Sequence, residues 1–401
     1  MIGGHLKHEI ISTFYFEKTL SIVELSSRLE KSVPHVTKAV NELIEAGLIE
    51  ESGHAPSSGG RKPLMYSLKR STLYIVAVAM DQLYFKITII DILNNPVIPI
   101  ESHELKLLNN AEALGELVAI INDCIKRSGI DKKKIIGAGI GTPGFTNNRL
   151  GINYSYLQPP EDESLLSYLE RELEIPVRLD NDSSLIALAE LKFGMAKGKE
   201  EVMVINIGWG IGLGMIVNGV LFRGYTGYAG ELSHIPISES DILCDCGKRG
   251  CLETEGTLKV VTDKAMKGIK QGNISGLKYD DSPEKMSEAI MTAANKGDQY
   301  AIELLSDMGY KIGKAIAILI HIVNPELVVL SGRGSVVGKI LLAPIQQALN
   351  KYCIPRLSEH TDVKVSTIGR KAELIGAAAL VMENFGKPSS ARKDKIKEQA
   401  I

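Results

Sequence analysis

Apolar residues in the first seventy positions recur at helical spacing and predict three short helices. The first covers His5 to Phe16. After Thr19-Leu20 a second runs from about Ser21 to Leu29, with Ile22, Leu25 and Leu29 on one face. A third carries Val36, Val40, Leu43 and Ile44 as its stripe. Ser32 stands at its N-cap, Pro34 falls in the first turn, where a missing N–H costs nothing, and Gly47 ends it. This is helix-turn-helix spacing, and the third helix exposes His35, Thr37, Lys38 and Asn41, side chains able to reach phosphates and base edges. After Leu48-Ile49, residues 53–63 predict a wing that returns into Leu64 to Leu68. At its tip, Gly59-Gly60 lets the backbone approach closely while Arg61 and Lys62 project, which suits the strongly negative minor groove of DNA.

From Leu73 the period changes. Residues 74–79 and 85–91 read as strands, with Asn94-Asn95-Pro96 as a turn. Helices are predicted over 111–128, 164–173, 184–193, 300–323 and 373–382, and a helical stretch with a polar connection over 257–297. Strands are predicted over 134–140, 177–179 and 327–330. The alternation predicts an α/β architecture, and no other internal repeat is visible. Lys387 to Ile401 is charged and poor in apolar residues, a frayed tail.

A chain of 401 residues predicts two or three domains, and 44% apolar content with a formal charge of −2 is globular. A role in coating nucleic acid is excluded, so DNA contact must come from a local patch. The first seventy residues hold nine Lys/Arg against eight Glu, but Arg28, Lys31, Lys38, Arg61 and Lys62 fall on the expected recognition side. Five cysteines, three of them clustered, fit a reducing compartment better than a disulfide framework. No apolar run approaches membrane-spanning length and no signal-peptide core opens the chain, so a cytoplasmic protein is expected.

The cluster lies in the stretch from Gly227 to Glu253. Cys244, Cys246 and Cys251, with His234 ten residues upstream of the first, can supply three thiolates and one nitrogen to a tetrahedral Zn2+. With four protein ligands no position remains to activate water, so the metal is a structural staple, and Gly247 and Gly250 allow the tight turns such a knuckle needs.

Gly-Glu-Leu-Ser-His at 230–234, followed by Cys-Asp-Cys-Gly-Lys-Arg-Gly-Cys-Leu-Glu at 244–253, resembles the signature of the ROK family, which holds sugar kinases and sugar-responsive repressors. The match extends over nearly the whole chain, and the Gly-Gly-Arg-basic-Pro wing resembles that of the family's repressors. The resemblance implies a winged helix-turn-helix at 1–70 followed by a two-lobed actin-like (ribonuclease H-like) sugar-kinase fold at 71–386, with a sugar cleft near 180–255. It also implies that Glu231, His234 and Glu253 touch the sugar. Asn181 and Asp182 match the family's sugar-binding Asn-Asp pair, whose Asp is the general base of the kinases; Asp182 also suits helix N-capping.

Several positions depart from the kinase pattern. Tyr156-Leu157 stands where the kinases carry an Asn-Leu. The opening phosphate turn, Asp-x-Gly-Gly-Thr in actin-like kinases, aligns with Ala79-Met80-Asp81-Gln82-Leu83. It retains no glycine, and Asp81 is at most a shifted substitute for the metal-handling acid. Gly208-Trp209-Gly210-Ile211-Gly212 keeps part of a second phosphate loop, and an arginine interrupts Ser331-Gly332-Arg333-Gly334, where the kinases meet adenosine. The expectation is therefore a sugar-responsive regulator, a homodimer or higher homo-oligomer binding operator DNA and a sugar or sugar phosphate, with structural zinc and no ATP. The alternative is an active ATP-dependent kinase with a DNA-binding appendage.

Overall fold

The computed structural model describes residues 3–54, 62–160, 162–273 and 275–388. Contacts divide the chain into two compact units, one formed by the segment ending at Asn181 together with the segment from Leu374, the other by Asp182–Glu373.

The first unit opens with helices α1 (His5–Glu17), α2 (Ile22–Leu29) and α3 (Val33–Glu45) and strands β1 (Thr19–Ser21), β2 (Ile49–His54) and β3 (Leu64–Leu68). The strands form an antiparallel sheet in the order β1-β3-β2, the arrangement of a winged helix. Ser21 starts α2 through a reciprocal capping box with Glu24, which satisfies two backbone donors at once. Ser32 is the N-cap residue of α3, as expected, with extended backbone and no side-chain cap bond. Ile10, Phe14, Leu25, Val36, Val40 and Leu43 are fully buried, and Ile49 and Leu68 close the core from the sheet. On α3, His35, Lys38 and Asn41 are exposed, while half-buried Thr37 donates its hydroxyl back to Val33 O at 2.8 Å. Of the wing tip, Gly59, Gly60 and Arg61 lie outside the described residues, and Lys62 is exposed.

The same unit continues with β4 (Tyr74–Met80), β5 (Tyr84–Asp91), β6 (Glu101–Glu104), α4 (Ala113–Ser128), β7 (Ile135–Thr142), the short β8 (Thr146–Asn147) and β9 (Ile152–Asn153), α5 (Leu165–Leu173) and β10 (Val177–Asn181). The sheet order is β10-β7-β4-β5-β6; β4, β5 and β6 are antiparallel neighbours, and β7 and β10 run parallel to β4. α1 is tied to this body by Ser12 Oγ, which donates to Met382 O at 2.9 Å, and by a bond from the Tyr15 hydroxyl to Asn94. Arg70 pairs with buried Asp91 at 3.2 Å.

The second unit contains α6 (Asp182–Phe193), β11 (Val202–Ile207), β12 (Ile211–Val217), β13 (Val220–Phe222), α7 (Leu258–Lys270), α8 (Pro283–Asn295), α9 (Gln299–Val323), β14 (Leu327–Ser331), α10 (Gly338–Tyr352), α11 (Pro355–Ser358) and β15 (Asp362–Val365). Its sheet, β15-β14-β11-β12-β13, repeats the first: three antiparallel strands in succession and two parallel strands on the other side of the leading one. The β4–β5 turn and the β11–β12 turn are thus topologically equivalent. The last helix, α12 (Ala372–Glu383), packs its Leu374-onward part on β7, where a Cβ at Gly139 would lie 2.0 Å from Ala377 O. The helix expected from Ser184 begins at Asp182, because β10 runs on through Asn181 opposite Thr142 and leaves no loop. No helix among the described residues is long and apolar enough to cross a membrane.

Candidate functional site

His234 ends a 3-10 turn, Leu232–His234, and the three cysteines sit in a small knuckle that follows it. Residues 244–248 close through Cys244 N to Lys248 O and Gly247 N to Cys244 O, both 2.8 Å, and Cys251 bridges back to Pro236. Gly250 makes the bend possible: its φ is +74°, and a Cβ there would lie 2.2 Å from Ser238 O.

The ligand atoms of His234, Cys244, Cys246 and Cys251 all lie within 4.8 Å of one another. His234 Nδ1 is 3.7 Å from Cys244 Sγ, and Cys246 Sγ is 3.6 Å from Cys251 Sγ. A tetrahedral ion with Zn–S bonds of about 2.3 Å requires S···S edges of about 3.8 Å and slightly shorter N···S edges. The donor set therefore fits zinc in chemistry and in size. Burial raises the Cys244 thiol and pushes Cys251 up to about 12, so both keep their protons at neutral pH unless a cation takes their place.

Around this knuckle the second unit gathers polar groups at one end of β11 and β12. Gly230, next to Glu231, runs so close to β12 that a Cβ would meet Leu213 O at 2.4 Å. Glu253 lies in the turn Leu252–Thr254, directly after Cys251 and Leu252, and its Oε2 accepts from Ile211 N at 3.2 Å. Burial raises Glu231, and it pushes Glu253 up to about 7 against the lowering effect of the Ile211 N–H. Burial also lowers His234, opposed by Asp245.

Asp182 opens α6. Its Oδ1 accepts from Ser183 N at 2.8 Å, and its Oδ2 accepts from Asn206 Nδ2 at 3.1 Å. Asn206 Nδ2 also reaches Ser183 Oγ at 3.1 Å, while Asn206 Oδ1 is buried without a partner. Sequence reasoning did not single out Asn206, although one amide inside the apolar run Val202–Ile207 was a readable signal.

In the first unit, Asn181 ends β10 and donates from Nδ2 to Gly144 O at 3.1 Å. The loop it meets is organised by buried Asn153, whose Oδ1 accepts from the N–H groups of Ser155, Tyr156 and Leu157 and whose Nδ2 donates to Pro143 O and Thr146 Oγ1. Asn153 was also missed; nothing in the sequence separates it from Asn147 and Asn148 nearby. Tyr156 is half-buried and Leu157 buried.

Both equivalent turns make hydrogen bonds within their own unit. In the β4–β5 turn, Asp81 Oδ1 accepts from Leu83 N and Tyr84 N, each at 2.8 Å, which makes it a turn-closing carboxylate. The carbonyls of Gln82 and Leu83 accept from Leu107 N and Leu105 N. In the β11–β12 turn, the carbonyls of Gly208 and Trp209 accept from Leu258 N and Lys259 N at the start of α7, and Trp209 is 8% exposed. Arg333 pairs with Glu284 at 3.4 Å.

A sequence model of the ROK family matches residues 102–384. The chain belongs to the ROK family. The xylose repressor of Caldicellulosiruptor bescii is 26% identical, over 94% of this chain and 95% of the repressor. A glucokinase of Halalkalibacterium halodurans is 34% identical, over 63% of this chain and 78% of the kinase. The crystal structure of a ROK family transcriptional regulator, a homolog of the E. coli MLC protein, matches with a TM-score of 0.75 and 24% identity, covering 95% of this chain and 97% of that one. This ROK chain thus shares a fold with a regulator along almost its full length, whereas the glucokinase match leaves over a third of it uncovered. Its body has the actin-like α/β fold of the family, preceded by a winged helix.

Proposed function

We propose that this ROK protein is a sugar-responsive transcriptional repressor whose hold on operator DNA is altered by a sugar or sugar phosphate. The observation that carries the reading is one chain joining a winged helix, with His35, Lys38 and Asn41 exposed on α3, to a ROK body whose β4–β5 turn, the proposed counterpart of the kinases' first phosphate turn, carries Asp81, Gln82 and Leu83 and no glycine. Thr37, Arg61 and Lys62 complete the proposed DNA surface. Lys38, Arg61 and Lys62 are suited to phosphate contact, and His35 and Asn41 to base edges.

Asn181, Asp182, Glu231, His234 and Glu253 are the proposed sugar contacts. Carboxylates accept hydrogen bonds from hydroxyls, and an amide both donates and accepts. Zn2+ held by His234, Cys244, Cys246 and Cys251 would anchor the segment that carries three of these residues. With Nδ1 of His234 given to the ion, the ring proton sits on Nε2, which makes that edge a donor toward a sugar oxygen. A homodimer reading two half-sites, in the cytoplasm, completes the proposal.

A second reading, an ATP-dependent sugar kinase, is favoured by the presence of Asp182, which matches the kinases' general base, and by the similarity to a glucokinase. Phosphoryl transfer depends on positioning and on stabilising phosphate charge, and the 81–83 turn has no glycine and gives Asp81 Oδ1 to Leu83 N and Tyr84 N, so the non-enzymatic reading is preferred. Fluorescence anisotropy with DNA from upstream of the protein's own gene tests the proposal. Affinity should fall with salt, and the double variant Arg61→Ala/Lys62→Ala should weaken binding and reduce the salt slope by about 2. No specific binding at physiological salt would overturn it.

A further inference from the structure

The first unit holds a groove of about 1320 Å3 between the winged helix and the body. Its lining carries six Lys/Arg against two Glu, in a chain whose formal charge is −2. Two of the cations are neutralised, Lys7 by Glu42 at 2.7 Å and Lys132 by Glu174 at 2.8 Å. Lys133 and Lys134 are exposed and have no acidic partner among the described residues. Arg178 is half-buried and donates to the carbonyls of Val177, Asn384 and Lys387, and Glu170 is the carboxylate that acts on it electrostatically. The floor is apolar, with Leu43, Leu73, Ile135 and Ile175 among the lining.

We infer that this groove binds a small multivalent phosphate-bearing anion. A concave, low-dielectric wall with excess charge of one sign focuses potential on its interior, and a single phosphate would occupy a small part of the space. DNA is not taken as the occupant, because none of the proposed α3 contacts His35, Thr37, Lys38 and Asn41 lines the groove, which takes in α3 from Glu42 onward. From Lys38 to Glu42, where the groove begins, the helix rises about 6 Å, one turn. The occupant lies between α1, the end of α3 and the chain after α12, and the lining includes His8 and Phe385, whose rings meet at 4.8 Å and join the winged helix to the body. The binding step itself does not depend on the proposed sugar response.

Calorimetric titration of the full-length protein with tripolyphosphate tests the inference, with sulfate and inorganic phosphate as controls. The wild-type chain should show one saturable site. Lys133→Glu/Lys134→Glu should weaken it by about tenfold or more, the effect expected of two reversed charges, while Lys126→Glu, outside the groove lining, leaves it unchanged. Both groove lysines are exposed, and an unaltered melting curve shows that the double variant folds. Absence of saturation in the wild type, equal affinity in the double variant, or an affinity for sulfate matching that for tripolyphosphate overturns the proposal. So does a loss of DNA binding in the double variant without any tripolyphosphate binding by the wild type, which would assign these cations to the DNA path.

Discussion

Asn206 Nδ2 lies 3.1 Å from Asp182 Oδ2, so the buried strand β11 holds the carboxylate that begins α6. The same nitrogen bonds Ser183 Oγ, and the amide oxygen has no partner, so the side chain is kept at the cost of an orphaned buried acceptor. A side chain retained on these terms positions Asp182. Replacing Asn206 with Ala removes a hydrogen bond to a charged group and should weaken sugar binding by about tenfold. DNA affinity without sugar should stay the same. Sugar titrations that match the wild type would assign Asn206 to packing alone.

The Cys-His knuckle predicts one zinc per chain. Cys246 is the most accessible of its three thiols, and Cys246→Ser should lower zinc content, melting temperature and sugar response together, because the ligands also shape the segment from Glu231 to Glu253. Elemental analysis of freshly purified protein and a strong chelator provide the measurements. A full sugar response in metal-free protein would contradict the anchoring role.

Asp81 decides between a turn-closing residue and a displaced metal ligand. Asp81→Ala leaves two backbone N–H groups without their acceptor and should cost roughly 1–2 kcal/mol of stability. It should leave the sugar response intact. Mg2+-dependent ATP turnover by the wild type that disappears in this variant would instead make Asp81 a working metal acid.

What could be read from the sequence was local. The apolar stripe of α3 and the 10-2-5 spacing of His234, Cys244, Cys246 and Cys251 need no knowledge of distant chain, and both appear in the structure as expected. The shared topology of the two five-stranded sheets was not legible, because strand order is set by backbone hydrogen bonds between distant segments, as where Val202 on β11 pairs with Leu327 on β14. Residues 335–372, including α10 and β15, carried no reading for the same reason: β15 is four residues long and gains its identity from pairing with β14. Asn153 and Asn206 escaped notice because their roles depend on partners brought together only by folding, and the start of α6 was misplaced because a strand passes into a helix without a loop.

The most direct test of the account is a DNA-binding titration of the wild type and Asp182→Asn over a panel of sugars and sugar phosphates. The variant keeps the size of the side chain and removes its charge. The account predicts that at least one sugar changes wild-type affinity for operator DNA by about tenfold or more, a coupling of about 1.4 kcal/mol, and that Asp182→Asn binds the same DNA equally well without sugar yet shows no response to it. A variant that responds like the wild type, or a wild type that ignores every sugar while binding DNA, would contradict the claim that Asp182 links a sugar to the winged helix.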